Sequence, residues 1–191
     1  SSIHPWSAAS SSDGSFCLIA DNYCIRKIIV ATGQVSTLAG STKGFVDGVG
    51  TSAKFNLPKR LTVSADASFA LVADTNNHRI RKLVLATKAV ITMAGSGPGF
   101  ADGKFDSARL RSPTGVALVP GDKWSVIADT DNHCIRKLNL VTGHVSTLAG
   151  QGTQGSLDGL GSKATFRTPT GVTVSERLVE LCVLNFIFFI S

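Results

Sequence analysis

With 191 residues, of which 43% are hydrophobic and 17% charged, the chain has the composition of a globular protein and not of a disordered one. A net charge of +6 permits an acidic partner without requiring one. In the hairpin expected near the N-terminus Cys17 lies opposite Arg26, not Cys24, so Cys17, Cys24, Cys134 and Cys182 form no disulfide framework, and free thiols fit a reducing compartment.

In chain order, residues 1–30 read as the back half of a unit. Ala8-Ala9-Ser10 ends a strand, Asp13-Gly14 is a turn, Phe16 to Ala20 is a strand and Ile25 to Val30 returns. Asp-Gly between apolar runs signals a hairpin because glycine takes positive φ at little cost. Ala31-Thr32-Gly33-Gln34 then turns the chain into a fourth strand, Val35 to Gly40, and the same turn and strand recur at Ala86 to Gly95 and Val141 to Gly150. The chain opens inside a repeat, so its N-terminus says nothing of localisation.

Glycine-rich connectors follow each fourth strand: Gly44-Phe45-Val46-Asp47-Gly48, Gly99-Phe100-Ala101-Asp102-Gly103 and Gly155-Ser156-Leu157-Asp158-Gly159. Small apolar pairs come next (Ala53 and Phe55, Ala108 and Leu110, Ala164 and Phe166), and then Pro58, Pro113 and Pro169. Between the second and third strands lies the most repeated stretch, Ala73 to Lys82 and Ala128 to Lys137, with a version two residues shorter at Ala20 to Lys27. Lys27, Lys82 and Lys137 fall 55 residues apart. A fixed period of this size marks a repeat architecture. Four short strands per unit, with no helical period, imply an all-β protein whose units are four-stranded antiparallel propeller blades.

The run Asp74-Thr75-Asn76-Asn77-His78-Arg79-Ile80-Arg81-Lys82, with Val-Ala before it and the Leu-Ala-Gly and Pro-x-Gly-Val elements around it, resembles the NHL repeat. Asn77-His78 and Asn132-His133 match the Asn-His of that name, and Ile80 and Ile135 serve as the following apolar residue. The resemblance covers roughly residues 5 to 175. It implies a β-propeller, commonly six-bladed, of which this chain supplies about three to three and a half blades. The expected units are a partial blade at 1–57, blades at 58–112 and 113–168, and the start of another at 169–175. Tyr23 stands where the other units have histidine, and Arg60 replaces the glycine of Gly115 and Gly171. Beyond Ser175 the expected aspartate, glycine and second strand are missing. Residues 176–191 read as an aberrant hydrophobic tail: a strand pair covering an open edge, a contact surface, or a truncated or misread gene end, the last favoured by the abrupt loss of register. The tail is too short for a transmembrane span, which needs about 20 apolar residues, and is an aggregation liability.

A meandering blade places the turn between strands two and three on the same face as the connectors. The candidate binding face therefore comprises Tyr23, His78, His133, Asn77, Asn132, Arg26, Arg81, Arg136, Lys27, Lys82 and Lys137. One branch of the resembled family, the amidating lyases, binds zinc through such histidines. Here one side chain comes from each blade and the third is Tyr23, which does not make a tetrahedral set. One aspartate per connector is likewise too few for calcium. The economical reading is turn chemistry, with aspartate accepting backbone N–H groups and Asn and His closing the turn. The same face should hold Asp21, Asp47, Asp74, Asp102, Asp106, Asp129, Asp131 and Asp158, and interblade pairs with these are the economical use of the repeated arginines. No nucleophile elbow or phosphate loop is present, so the expectation is a non-catalytic scaffold without metal or cofactor that binds a protein partner, closing its ring as a homodimer or with further blades. An RNA-binding face is one alternative, implied by the precedent of tripartite-motif NHL propellers, and a metal-dependent lyase or lactonase-like enzyme is another.

Overall fold

The computed structural model describes residues 5–174 and the backbone of residues 181–184. Strands β1 (Pro5–Ser10), β2 (Phe16–Asp21), β3 (Cys24–Ile29) and β4 (Val35–Gly40) form one antiparallel meander. A second joins β6 (Pro58–Val63), β7 (Phe69–Asp74), β8 (Arg79–Val84) and β9 (Ala89–Ala94), and the short β5 (Gly48–Val49) of the preceding connector pairs with β9 as a fifth strand. The third sheet is β10 (Pro113–Leu118), β11 (Trp124–Asp129), β12 (Cys134–Asn139) and β13 (Val145–Ala149), and the last pairs β14 (Gly171–Val174) with β15 (Leu181–Leu184).

Alternation along the strands supplies apolar side chains to both faces of the second and third sheets, so sheets stack face to face. Phe16, Leu18, Ala20 and Ile25 of the first sheet meet Leu61, Ala70, Val72 and Leu83 of the second, with Phe55 of the connector between them. Leu71, Ala73 and Ile80 on the far side of the second sheet meet Val116, Ile127, Leu138 and Val145 of the third, with Leu110 in the place of Phe55. Val126, Ala128 and Ile135 then meet Val172 of β14. The first strands stand side by side along the inner edge and the sheets form an open arc.

Two irregularities recur in each of the three four-stranded units. The leading prolines Pro5, Pro58 and Pro113 each shift the pairing of the first strand, because proline has no N–H for the ladder. A second shift falls between strands three and four: Ile80 faces Ala94 but Arg81 faces Thr92, with equivalent steps at Ile25/Arg26 and Ile135/Arg136. This bulge sets an arginine and a threonine opposite each other on one face of each sheet.

Three sequence expectations change. The first unit is a complete four-stranded sheet, since Pro5–Ser10 is a full first strand. Cys17 faces Ile28, and Ile19 faces Arg26, because the shorter turn at Asn22-Tyr23 pairs Asp21 with Cys24. The second strand found missing after Ser175 is supplied at Leu181–Leu184, where Val172 faces Val183. The rest of the tail, 176–180 and 185–191, lies outside the described residues.

Candidate functional site

The turn between strands two and three is built by its aspartate. After Asp74 and Asp129 the chain makes one turn of 3-10 helix, Thr75–Asn77 or Thr130–Asn132, and then enters the left-handed region at His78 (φ 58°) or His133 (φ 52°). Asp74 accepts hydrogen bonds from the Asn56 N–H at 2.8 Å, from Asn77 Nδ2 at 2.8 Å and from Arg81 Nη1 at 2.8 Å. Asp129 repeats the set with the Arg111 N–H, Asn132 Nδ2 and Arg136 Nη1. Asn77 and Asn132 also donate to the connector carbonyls of Gly44 and Gly99. Burial pushes the carboxyls of Asp74 and Asp129 above the ordinary aspartate range, against these donors.

Each histidine caps the approach to the next unit. Nδ1 of His78 accepts the Ser112 N–H at 3.0 Å, and Nδ1 of His133 accepts the Thr168 N–H at 3.2 Å. In the first unit the turn is two residues shorter, and the carbonyl of Asn22 accepts the equivalent N–H of Leu57 at 2.9 Å. Tyr23 is therefore released from the capping role and stands exposed.

The arginines close a clamp on the connector. Arg81 has no exposed side-chain surface and donates from Nη2 to Asp47 and to the Val46 carbonyl, and from Nη1 to the Lys54 carbonyl. Thr92, facing Arg81, grips the same Asp47 with its N–H and its hydroxyl, both at 3.1 Å. Arg136 and Thr147 hold Asp102 in the same way, with Arg136 Nη2 2.6 Å from the carboxylate. Although burial works in the other direction, the Thr147 donors and Arg136 keep Asp102 below the usual carboxylate range. Arg26 makes a single ion pair among the described residues, from Nε to Asp21 at 2.8 Å.

The lysines part company with the arginines. Lying next along the strand, Lys27, Lys82 and Lys137 fall on the opposite sheet face, with Nζ 4.2 Å from the ring of Phe16, 4.2 Å from Phe69 and 3.8 Å from Trp124. The structure thus brings Tyr23, His78 and His133 to the connector face, buries Asn132, Arg81 and Arg136 beneath it with Asn77 half-buried, and sets the lysines apart.

Residues outside the expected set complete that face. Phe45 and Phe100, at the same place in successive connectors, are 43% and 47% exposed, and the third connector carries Ser156 beside a 67% exposed Leu157. The Arg79 guanidinium stacks 3.8 Å from the Phe45 ring. The signal was in the sequence: an aromatic at fixed register in a glycine-rich connector. On the opposite face, among the turns joining strands one and two, lies a cavity of about 640 Å³ lined by hydroxyls of Ser10, Thr62 and Thr173 among others. Asp122 is its one ionisable lining residue among those described, and it accepts the Ala65 N–H at 3.0 Å. Among the described residues no three His, Cys, Asp or Glu side chains are grouped to hold a metal, and no helix is long and apolar enough to cross a membrane.

Meandering four-stranded sheets stacked face to face, with first strands along the inner edge, define a segment of a β-propeller. Its blades resemble NHL repeats in sequence. The chain is 37% identical over 99 residues, 52% of its length, to NHL repeat-containing protein 2 of Homo sapiens. It is 35% identical over 139 residues, 68% of its length, to the Arabidopsis thaliana protein SUPPRESSOR OF QUENCHING 1, chloroplastic. Each alignment spans only 13% of the relative. No family model matches the chain. Among solved structures it is similar to a Bacteroides thetaiotaomicron protein of unknown function, with a TM-score of 0.74, 22% identity and coverage of 92% of this chain and 43% of that one. An auxiliary nutrient binding protein of Bacteroides ovatus is similar at a TM-score of 0.72 and 22% identity, with 92% and 44% covered.

Proposed function

We propose that these blades form a non-catalytic scaffold that binds a protein partner through the connector face. The observation that carries the reading is the exposure of Phe45 and Phe100 at equivalent positions over a layer whose charges are already spent on one another. Apolar side chains recurring at one register on a polar surface make a repeated foothold for a protein, and aromatic anchors dominate such interfaces. Nucleic acid would need free cations on that face, whereas Arg81 and Arg136 are buried in ion pairs and Lys27, Lys82 and Lys137 lie over rings on the other sheet faces.

The test is capture of proteins from an extract by the immobilised chain and by a Phe45→Ser/Phe100→Ser variant, each with and without nuclease. A defined set of proteins retained after nuclease and lost from the variant supports the scaffold. Capture that the variant leaves unchanged, or that nuclease removes, sinks it.

A further inference from the structure

Arg81 and Arg136 are spent on Asp47 and Asp102, but a second set of cations lies beside the two exposed rings of the connector face. A Cβ added at Gly44 would lie 3.0 Å from Lys54 Cδ, and one at Gly99 2.9 Å from Arg109 Cδ, so each cation runs flat across the glycine that precedes Phe45 or Phe100. The backbone beneath is fixed, because the buried Arg81 and Arg136 donate from Nη1 to the carbonyls of Lys54 and Arg109, both at 3.2 Å. Arg79 adds a third cation, stacked 3.8 Å from the Phe45 ring while it donates to the carbonyls of Asn77 at 2.6 Å and Ser96 at 3.2 Å. Lys54, Arg79 and Arg109 meet no carboxylate within ion-pair distance among the described residues.

The repeats tie ring and cation together. In the third connector Ser156 stands where Phe45 and Phe100 stand, and Thr165 where Lys54 and Arg109 stand. That connector still closes: Gly155 donates its N–H to the Phe166 carbonyl at 3.0 Å, Thr165 to the Leu157 carbonyl at 2.9 Å, and the Thr165 hydroxyl accepts the Leu157 N–H at 2.9 Å. Closure therefore needs neither ring nor cation, and the two are present together twice and absent together once. A rigidly held cation with no counter-charge, set beside an exposed ring, complements a carboxylate with an apolar neighbour.

On the reading of the connector face as a protein-binding surface, we infer that its partner is an acidic segment in which aspartate or glutamate is interleaved with apolar side chains. The carboxylates meet Lys54, Arg79 and Arg109, and the apolar groups meet Phe45 and Phe100. A phosphodiester chain fits less well, because it is held by a groove of cations that tracks its backbone. Here the cations fall in two groups, and two residues past each ring stands a half-exposed carboxylate, Asp47 or Asp102.

The probe is a displayed library of random linear peptides selected on the immobilised chain, with the enriched sequences then synthesised, labelled and titrated by fluorescence anisotropy. We expect aspartate and glutamate interleaved with leucine and aromatic residues. Replacing the carboxylates of a selected peptide by amides should weaken binding about tenfold, the loss of two exposed ion pairs. A Lys54→Gln/Arg109→Gln variant should lose the same factor toward the acidic peptide and none toward its amide form, a pattern that damage to the fold does not produce. Selected peptides that fail to bind the Phe45→Ser/Phe100→Ser variant, yet bind the unaltered chain equally as carboxylates or amides, overturn the acidic partner and leave the protein-binding face standing. No enrichment, or peptides indifferent to the Phe45→Ser/Phe100→Ser change, overturns both. Displacement of the selected peptides by an oligouridylate at lower concentration than by unlabelled peptide assigns the face to nucleic acid and overturns both as well.

Discussion

Replacing Arg136 by methionine should cost as much stability as the same change at its equivalent Arg81, and more than removal of a more exposed charge elsewhere in the described part of the chain. The guanidinium donates to Asp129, to Asp102 and to the carbonyls of Arg109 and Ala101, and it has no exposed surface. Methionine fills much of the volume but donates nothing. The carboxylate of Asp129, also without exposed surface, keeps the Arg111 N–H, Asn132 Nδ2 and a weak contact from the Cys134 thiol at 4.0 Å. Breaking a buried pair from one side leaves a charge in low dielectric, and about 3–5 kcal/mol is the usual consequence. Asp102 is 49% exposed, so Asp102→Asn exchanges a solvated partner and should cost about 1 kcal/mol or less. Arg26→Met, where the side chain is 22% exposed and makes a single ion pair among the described residues, should fall between them, at no more than about 2 kcal/mol. Urea unfolding of the intact chain and the three variants, followed by circular dichroism, gives the ranking. The pH dependence gives a second reading. Burial already raises the Asp129 carboxyl, and losing Arg136 raises it further. A raised carboxyl supports the fold below its ordinary pKa and ceases to do so as pH rises through the folded value, so the deficit of Arg136→Met should shrink as the solution is acidified. A loss below about 1 kcal/mol for Arg136→Met, or an Asp102→Asn loss equal to it, would refute the reasoning.

Two further outcomes follow from the turns. Burial pushes the His78 imidazole below its ordinary 6.5, with the Asp131 charge pulling the other way, so the unfolded chain takes up the proton first. Stability should therefore decline as pH falls from 6.5 to the folded value and level off below it, and His78→Asn should remove that part of the slope in a urea series from pH 7 to pH 5. Gly150 closes the third blade at φ +88°, and an added Cβ would lie 2.9 Å from the Cys134 Cα and from the His133 carbonyl, whereas at Gly33, φ +68°, nothing lies within 4 Å. Gly33→Ala should cost about 1 kcal/mol for the left-handed backbone alone, and Gly150→Ala about 3 kcal/mol or more because two backbones must also separate; equal urea midpoints for the two variants would contradict this.

The repeat was legible because the residues that make the turns are the residues that recur. Asp74, Asn77 and His78 each satisfy a particular backbone or side-chain group, and no other spacing places them on it. That is why the period and the four-strand unit read directly from the sequence. It is also why the histidine ring read as a candidate surface: the acceptor role of Nδ1 depends on Ser112 and Thr168, which lie 34 and 35 residues away. The first turn shows the same logic in reverse, since two fewer residues bring the Asn22 carbonyl to the N–H that histidine would have taken and leave Tyr23 without that task.

The basic residues show where linear reading stops. Arg81 and Lys82 are adjacent cations in sequence, yet strand alternation sends them to opposite faces, one into a carboxylate cage and the other over an aromatic ring. Nothing in the residue types separates the two fates. Alternation separates them, and the bulge that sets Thr92 opposite Arg81, with a connector that carries Asp47 back across 34 residues, supplies the cage on one side. A charge pattern that looks like a binding surface is thus the joint between blades.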